Sequence, residues 1–235
     1  MNRFFRLELT RYRRVIPRFG ATAACSALMG LYFFAFVGRF DDSPESAMLR
    51  EHAAVIPLAL TVAFCVVVIY GVVLYGRFIV SDYIGNRRIQ LYSYPGGRST
   101  LFLAKNAAYA LAIGASTMVG LALGTAIFMT VESFMPVSNV HANAPSGLET
   151  LAMVVCIALL ALSATMTSGL VGVRRRSTVS AIVIAVILIC LLGNSVALSL
   201  KASPWVTWMV TAASIALLLI SVSVQSHLIR QDEVL

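Results

Sequence analysis

Charge is what this chain has least of. Asp, Glu, Lys and Arg together make up 12% of the 235 residues, against 59% for the hydrophobic types, and the mean hydropathy is +0.87. A soluble domain usually carries about 25% charged residues, so a water-exposed globule is a poor reading of this composition. Six windows contain none of the four charged types: 20–38, 53–76, 106–131, 150–173, 177–200 and 205–226. Each approaches or exceeds the roughly 20 apolar residues a helix needs to cross bilayer hydrocarbon. The longest stretch between them, 77–105, leaves no room for a soluble domain. The reading is one all-α membrane domain over residues 1–235 with six transmembrane helices.

The same scarcity excludes several kinds of chemistry. An ion-coupled carrier needs an ionisable side chain at depth to bind its coupling ion. A membrane protease or metalloenzyme needs a His, Asp or Glu pair within hydrogen-bonding reach. The six windows hold none of these residues. The chain also has no G-x-x-x-x-G-K-[ST] loop to cradle a nucleotide phosphate. An enzyme is therefore not expected, nor a cofactor in this chain. What remains is a passive channel, a structural protein, or a subunit driven by a partner's ATPase.

Cysteine and histidine are equally sparse. Cys25, Cys65, Cys156 and Cys190 all fall inside the apolar windows, away from the outward loops where a disulfide would form, so they read as small apolar packing residues. His141 lies in the 132–149 loop without a second ligand at metal spacing, so no metal site is expected.

The charge that is present is placed asymmetrically. Fifteen of the 18 basic residues lie in the N-terminal segment, the 77–105 stretch, the 174–176 turn and the C-terminal tail. The intervening loops hold only Arg39, Arg50 and Lys201, alongside six acidic residues. The positive-inside rule then puts both termini in the cytoplasm and requires an even number of crossings, which six satisfies. A multi-pass membrane protein is expected, and the +8 formal charge follows topology rather than nucleic acid.

Residues 1–16 read as an amphipathic interfacial helix. At helical spacing Phe5, Leu9, Tyr12 and Ile16 share a face, and Arg3, Arg6, Arg13 and Arg14 lie opposite. Pro17 is expected to bend the chain before it enters the bilayer. Trp205 and Trp208 sit where interfacial anchors sit, at the outer start of the last span. Gly120 and Gly124 form a small-xxx-small pair. Together with Ser116, Thr117, Ser163, Thr165 and Ser168 they read first as close helix packing and second as a mildly polar translocation surface.

The stretch 81–106 alone looks built to touch another protein. Asp82, Gly85 and Asn86 open it, an amphipathic run from Arg87 to Tyr94 follows, and Pro95, Gly96 and Gly97 close it before Arg98 and Lys105. It reads as a short helix, a stop, and a second helix capped by Ser99 or Thr100 that leads into the third span.

This pattern resembles the permease subunits of ABC-2-type ABC transporters. In that family an acidic residue, a Gly, an apolar run and a Pro followed by Arg and Lys come after the second span. Here those places are taken by Asp82, Gly85, Ile89 to Tyr94, Pro95, Arg98 and Lys105. The basic N-terminus and the six-span layout extend the likeness loosely over the whole chain. Short permeases of bacteriocin, lantibiotic-immunity and bacitracin-resistance exporters are similar in length. The tight turn at 201–204 leaves no room for the re-entrant helices of better-known members.

The resemblance implies a cytoplasmic coupling helix between spans two and three, within Tyr83 to Tyr94, docking on a separate ATPase subunit that binds ATP and Mg. Two permease copies or homologues would form the pathway. On this reading Asp82, Gly85, Asn86, Arg87, Arg88, Tyr94, Pro95 and Arg98 dock the partner, with Tyr94 and Pro95 ending the coupling helix, and Lys105 marks the membrane boundary. The function implied is export of an amphipathic peptide, antibiotic or lipid. The alternative is a non-transporting membrane scaffold or signalling subunit that uses the same loop to hold a cytoplasmic partner.

Overall fold

The computed structural model describes residues 2–40, 52–84, 98–134, 147–199 and 205–231. Every regular element among them is helical: α1 (Asn2–Tyr12), α2 (Ile16–Phe40), α3 (His52–Phe78), a 3-10 turn (Val80–Tyr83), α4 (Arg98–Phe134), α5 (Gly147–Arg175), α6 (Thr178–Ser199) and α7 (Trp205–Gln231). Hydrocarbon offers no partner for a free backbone N–H or C=O, so an apolar run satisfies these groups internally as helix. That requirement overrides the modest helix propensity of a run such as Cys65–Ile69 in α3.

Five helical segments, Ile16–Phe40, Ala54–Tyr83, Ser99–Phe134, Gly147–Arg175 and Trp205–Ile229, are long and apolar enough to cross a membrane. The fifth expected span differs: its apolar stretch, Thr178–Asn194, falls short of that length among the described residues. The chain is a polytopic helical membrane protein.

At its centre α4 packs on α2, α3 on α5 and α6, and α5 on α7. Small residues set the closest approach. A Cβ on Gly120 of α4 would lie against the Gly20 carbonyl and 2.8 Å from the Ala23 Cβ, and one on Gly124 would lie 2.9 Å from the Ala24 carbonyl. Glycine is therefore the residue that lets the two backbones come together. The matched pairs Gly20–Gly120 and Ala24–Gly124 make α2 and α4 parallel neighbours. The Ser116 hydroxyl extends the same offset by donating to the Ile16 carbonyl at 2.6 Å. Thr117 and Ser163 instead donate within their own helix, to Ile113 O and Leu160 O, and are buried and internally satisfied.

The bend expected at Pro17 comes earlier. α1 stops at Tyr12, a turn occupies 13–15, and Pro17 is the second residue of α2, where its missing N–H has no helical acceptor to lose. The turn between α5 and α6 is a Schellman closure: Ser177 N donates to Gly172 O at 3.0 Å and Arg176 N to Val173 O at 3.2 Å. Arg176 takes the left-handed position at φ 51°. The cysteines do not all pack inside, since Cys156 is buried and bonded to Thr211 while Cys25 and Cys190 are exposed on the bundle surface.

Candidate functional site at the start of α4

α4 has 37 residues, about 55 Å of helix at 1.5 Å per residue, which exceeds a bilayer of roughly 45 Å including headgroups. Some of its turns therefore reach beyond the hydrocarbon, and the charged residues Arg98 and Lys105 lie in the first ones. There Lys105 projects from α4 into the bundle with its side chain only 3% exposed. A buried ammonium requires opposite charge, and two carboxylates supply it: Lys105 Nζ lies 2.6 Å from Asp82 Oδ2 and 3.0 Å from Glu8 Oε1.

Arg11 closes the arrangement. Its Nη1 donates to Glu8 Oε2 at 3.0 Å and to Asp82 Oδ2 at 3.4 Å. Glu8, Lys105, Asp82 and Arg11 form a closed quartet of alternating sign and zero net charge, drawn from α1, the 3-10 turn and α4. Burial alone would push the Arg11 guanidinium down, but the attraction and hydrogen bonds of Glu8 and Asp82 outweigh it and leave the group above its ordinary range. Burial, with Glu8 nearby, also raises the Tyr12 phenol, which stays protonated. The carboxylates are occupied by two fixed cations and do not offer a metal site. Among the described residues no three His, Cys, Asp or Glu side chains gather to hold an ion.

An aromatic layer seals the quartet from the bundle interior. The Tyr12 ring lies 5.0 Å from Phe78 and meets Tyr109 edge-on at 6.1 Å. Tyr75 meets Tyr109 edge-on at 4.9 Å. Their polar tips are satisfied: Tyr75 donates to Asn106 Oδ1 at 2.5 Å, Asn106 Nδ2 to Phe102 O at 2.9 Å, and Tyr109 to Gly71 O at 2.9 Å. Tyr83 packs edge-on against Phe102 at 5.9 Å. These contacts join α1, α3 and the start of α4 into one inner block.

Asp82 and Lys105, two site residues from the sequence, thus meet directly although 23 residues separate them. Lys105 is an interior ion-pair residue. α4 is already helical at Arg98, so Ser99 and Thr100 lie in its first turn instead of capping it. Gly85, Asn86, Arg87, Arg88, Tyr94 and Pro95, and with them the expected coupling helix, lie outside the described residues, as does His141.

Glu8 and Arg11 were not among the expected site residues. A signal for Glu8 exists, since it is the one acidic residue in the first 40. The apolar face of α1 is turned onto the bundle: Phe5, Leu9 and Tyr12 pack against the protein core. Glu132, expected in an outward loop, instead lies in the last turns of α4 and is 9% exposed.

Fold and quartet define a polytopic helical membrane protein in which Asp82 and Lys105, on either side of residues 85–97, are pinned together against the N-terminal helix. No protein-family model, curated protein or solved structure matches this chain.

Proposed function

We propose that the chain is the permease subunit of an ATP-binding cassette exporter, of the short six-span ABC-2 type, in a bacterial plasma membrane with both termini cytoplasmic. It moves an amphipathic peptide, antibiotic or lipid across or out of the bilayer. A separate ATPase subunit binds ATP and Mg and docks on the segment between spans two and three. A second permease copy or homologue completes the pathway.

The observation that carries the reading is the quartet. A partner bound to residues 85–97 can move spans only if both ends of that segment are mechanically joined to them. Asp82 at one end is bonded to Lys105 at the other, and both are bonded to α1. A push on the segment then reaches α2, α3 and α4 together. The motif resemblance supports the same assignment, with Arg87 and Arg88 as docking residues.

The test is transport of a labelled amphipathic peptide into inverted vesicles holding this chain and its ATPase. Uptake that requires both ATP and the partner is expected, and Arg87→Glu with Arg88→Glu should abolish partner binding. Retention of the partner without uptake would replace the exporter by a scaffold. ATP hydrolysis by the purified chain alone, or full binding and stimulation of the ATPase by the double variant, would overturn the assignment.

A further inference from the structure

The quartet divides the arginines of the N-terminal region into two kinds. Arg11 is consumed in it, whereas Arg6, Arg13, Arg14 and Arg18 are exposed and form no ion pair among the described residues. The nearby carboxylates cannot neutralise them, because Glu8 and Asp82 already face Lys105 and Arg11. The apolar face of α1 is turned inward onto the bundle, so the arginine face is what remains outside. Leu7, 60% exposed, lies on that outer side among the arginines. α2 begins between Arg14 and Arg18, which sets these four cations around the point where the chain enters the apolar layer.

We infer that the exposed face of α1, the turn after it and the first turn of α2 together form a binding surface for anionic phospholipid headgroups of the cytoplasmic leaflet. Guanidinium groups take phosphate oxygens with paired donors. A polybasic segment next to a membrane gains attraction from each charge that reaches the anionic surface. An exposed leucine beside those groups fits the acyl boundary beneath a headgroup. A fully solvated cytoplasmic helix would have no use for this leucine, and an acidic protein partner would have to displace lipid from the membrane entry point of α2. The inference rests on the proposed cytoplasmic placement of the N-terminus but not on the exporter activity.

Full-length protein reconstituted in phosphatidylcholine nanodiscs with and without phosphatidylglycerol tests it, with retained lipid counted by native mass spectrometry. Preferential retention of phosphatidylglycerol is expected, weakening at high salt. Each of the double variants Arg6→Gln/Arg13→Gln and Arg14→Gln/Arg18→Gln should lower the preference, by about fivefold per arginine. A Lys replacement at the same positions should keep most of it, and N-terminal tag accessibility checks that orientation is unchanged. Arg174→Gln/Arg175→Gln/Arg176→Gln removes three exposed charges elsewhere at the same end and should change the preference little. Absence of any preference, an equal loss in the 174–176 variant, or a preference that survives both N-terminal variants overturns the inference. Protection of the N-terminal arginines by a co-expressed protein rather than by lipid also overturns it.

Discussion

Lys105→Met keeps the length and apolar stem of the side chain and deletes the ammonium at the centre of the quartet. At an effective dielectric constant of about 20, its attractions at 2.6 and 3.0 Å each amount to roughly 6 kcal/mol before desolvation. Most of that gross attraction is offset by the penalty of burying the ammonium, which methionine no longer incurs. What the variant leaves is two facing carboxylates with Arg11 alone between them. Breaking one partner from a buried ion pair costs about 3–5 kcal/mol. Glu8 and Asp82 retain 14% and 15% exposure and can draw in some water, so a loss near 3 kcal/mol is expected. Reversible unfolding in mixed detergent micelles measures it. In a double-mutant cycle with Asp82→Asn, the second substitution should recover about 1.5–3 kcal/mol, the worth of a charged hydrogen bond. A Lys105→Met variant within about 0.5 kcal/mol of the parent, or a cycle with no coupling, would refute a quartet that holds α1, the 3-10 turn and α4 together.

Gly120→Ala should destabilise the bundle by about 1–3 kcal/mol, because the new methyl meets the Gly20 carbonyl and Ala23 instead of a movable side-chain end. Gly114→Ala on the same helix meets only the Leu162 Cδ2 at 3.1 Å and should be near neutral in the same unfolding assay. Arg176→Gly should raise stability by about 1 kcal/mol, since glycine occupies the left-handed position without the Cβ penalty; an unchanged or lowered unfolding midpoint would count against the Schellman closure.

The helical layout is legible in the sequence because hydrocarbon leaves the backbone a single local solution, and charge-free windows mark where that solution applies. The Gly120–Gly124 approach is legible for a related reason, as small residues at helical spacing have few other uses in a membrane. Half of the quartet is legible and half is not. Asp82 and Lys105 stand out as charges at the edges of apolar runs, whereas Glu8 and Arg11 look like an ordinary i, i+3 pair on a surface helix. Only the parallel packing of α2 on α4, which sets Ile16 beside Ser116 and Gly20 beside Gly120, brings α1 down to the level of Lys105. Periodicity in one segment carries no information about that register. Glu132 is misplaced for a similar reason: a single charge ends an apolar window, but the helix continues through Phe134.

The quartet also orders the birth of the protein. Arg11 is translated 71 residues before Asp82, and Asp82 23 residues before Lys105. Until the start of α4 leaves the ribosome, Asp82 and Glu8 lack the buried cation that faces both of them, and Tyr12 of α1 lacks the Tyr109 ring it meets. The N-terminal helix must therefore wait at the membrane surface while two spans are threaded, and it docks only when the third arrives. Insertion of that third helix is the event that converts separately threaded segments into one assembled inner block.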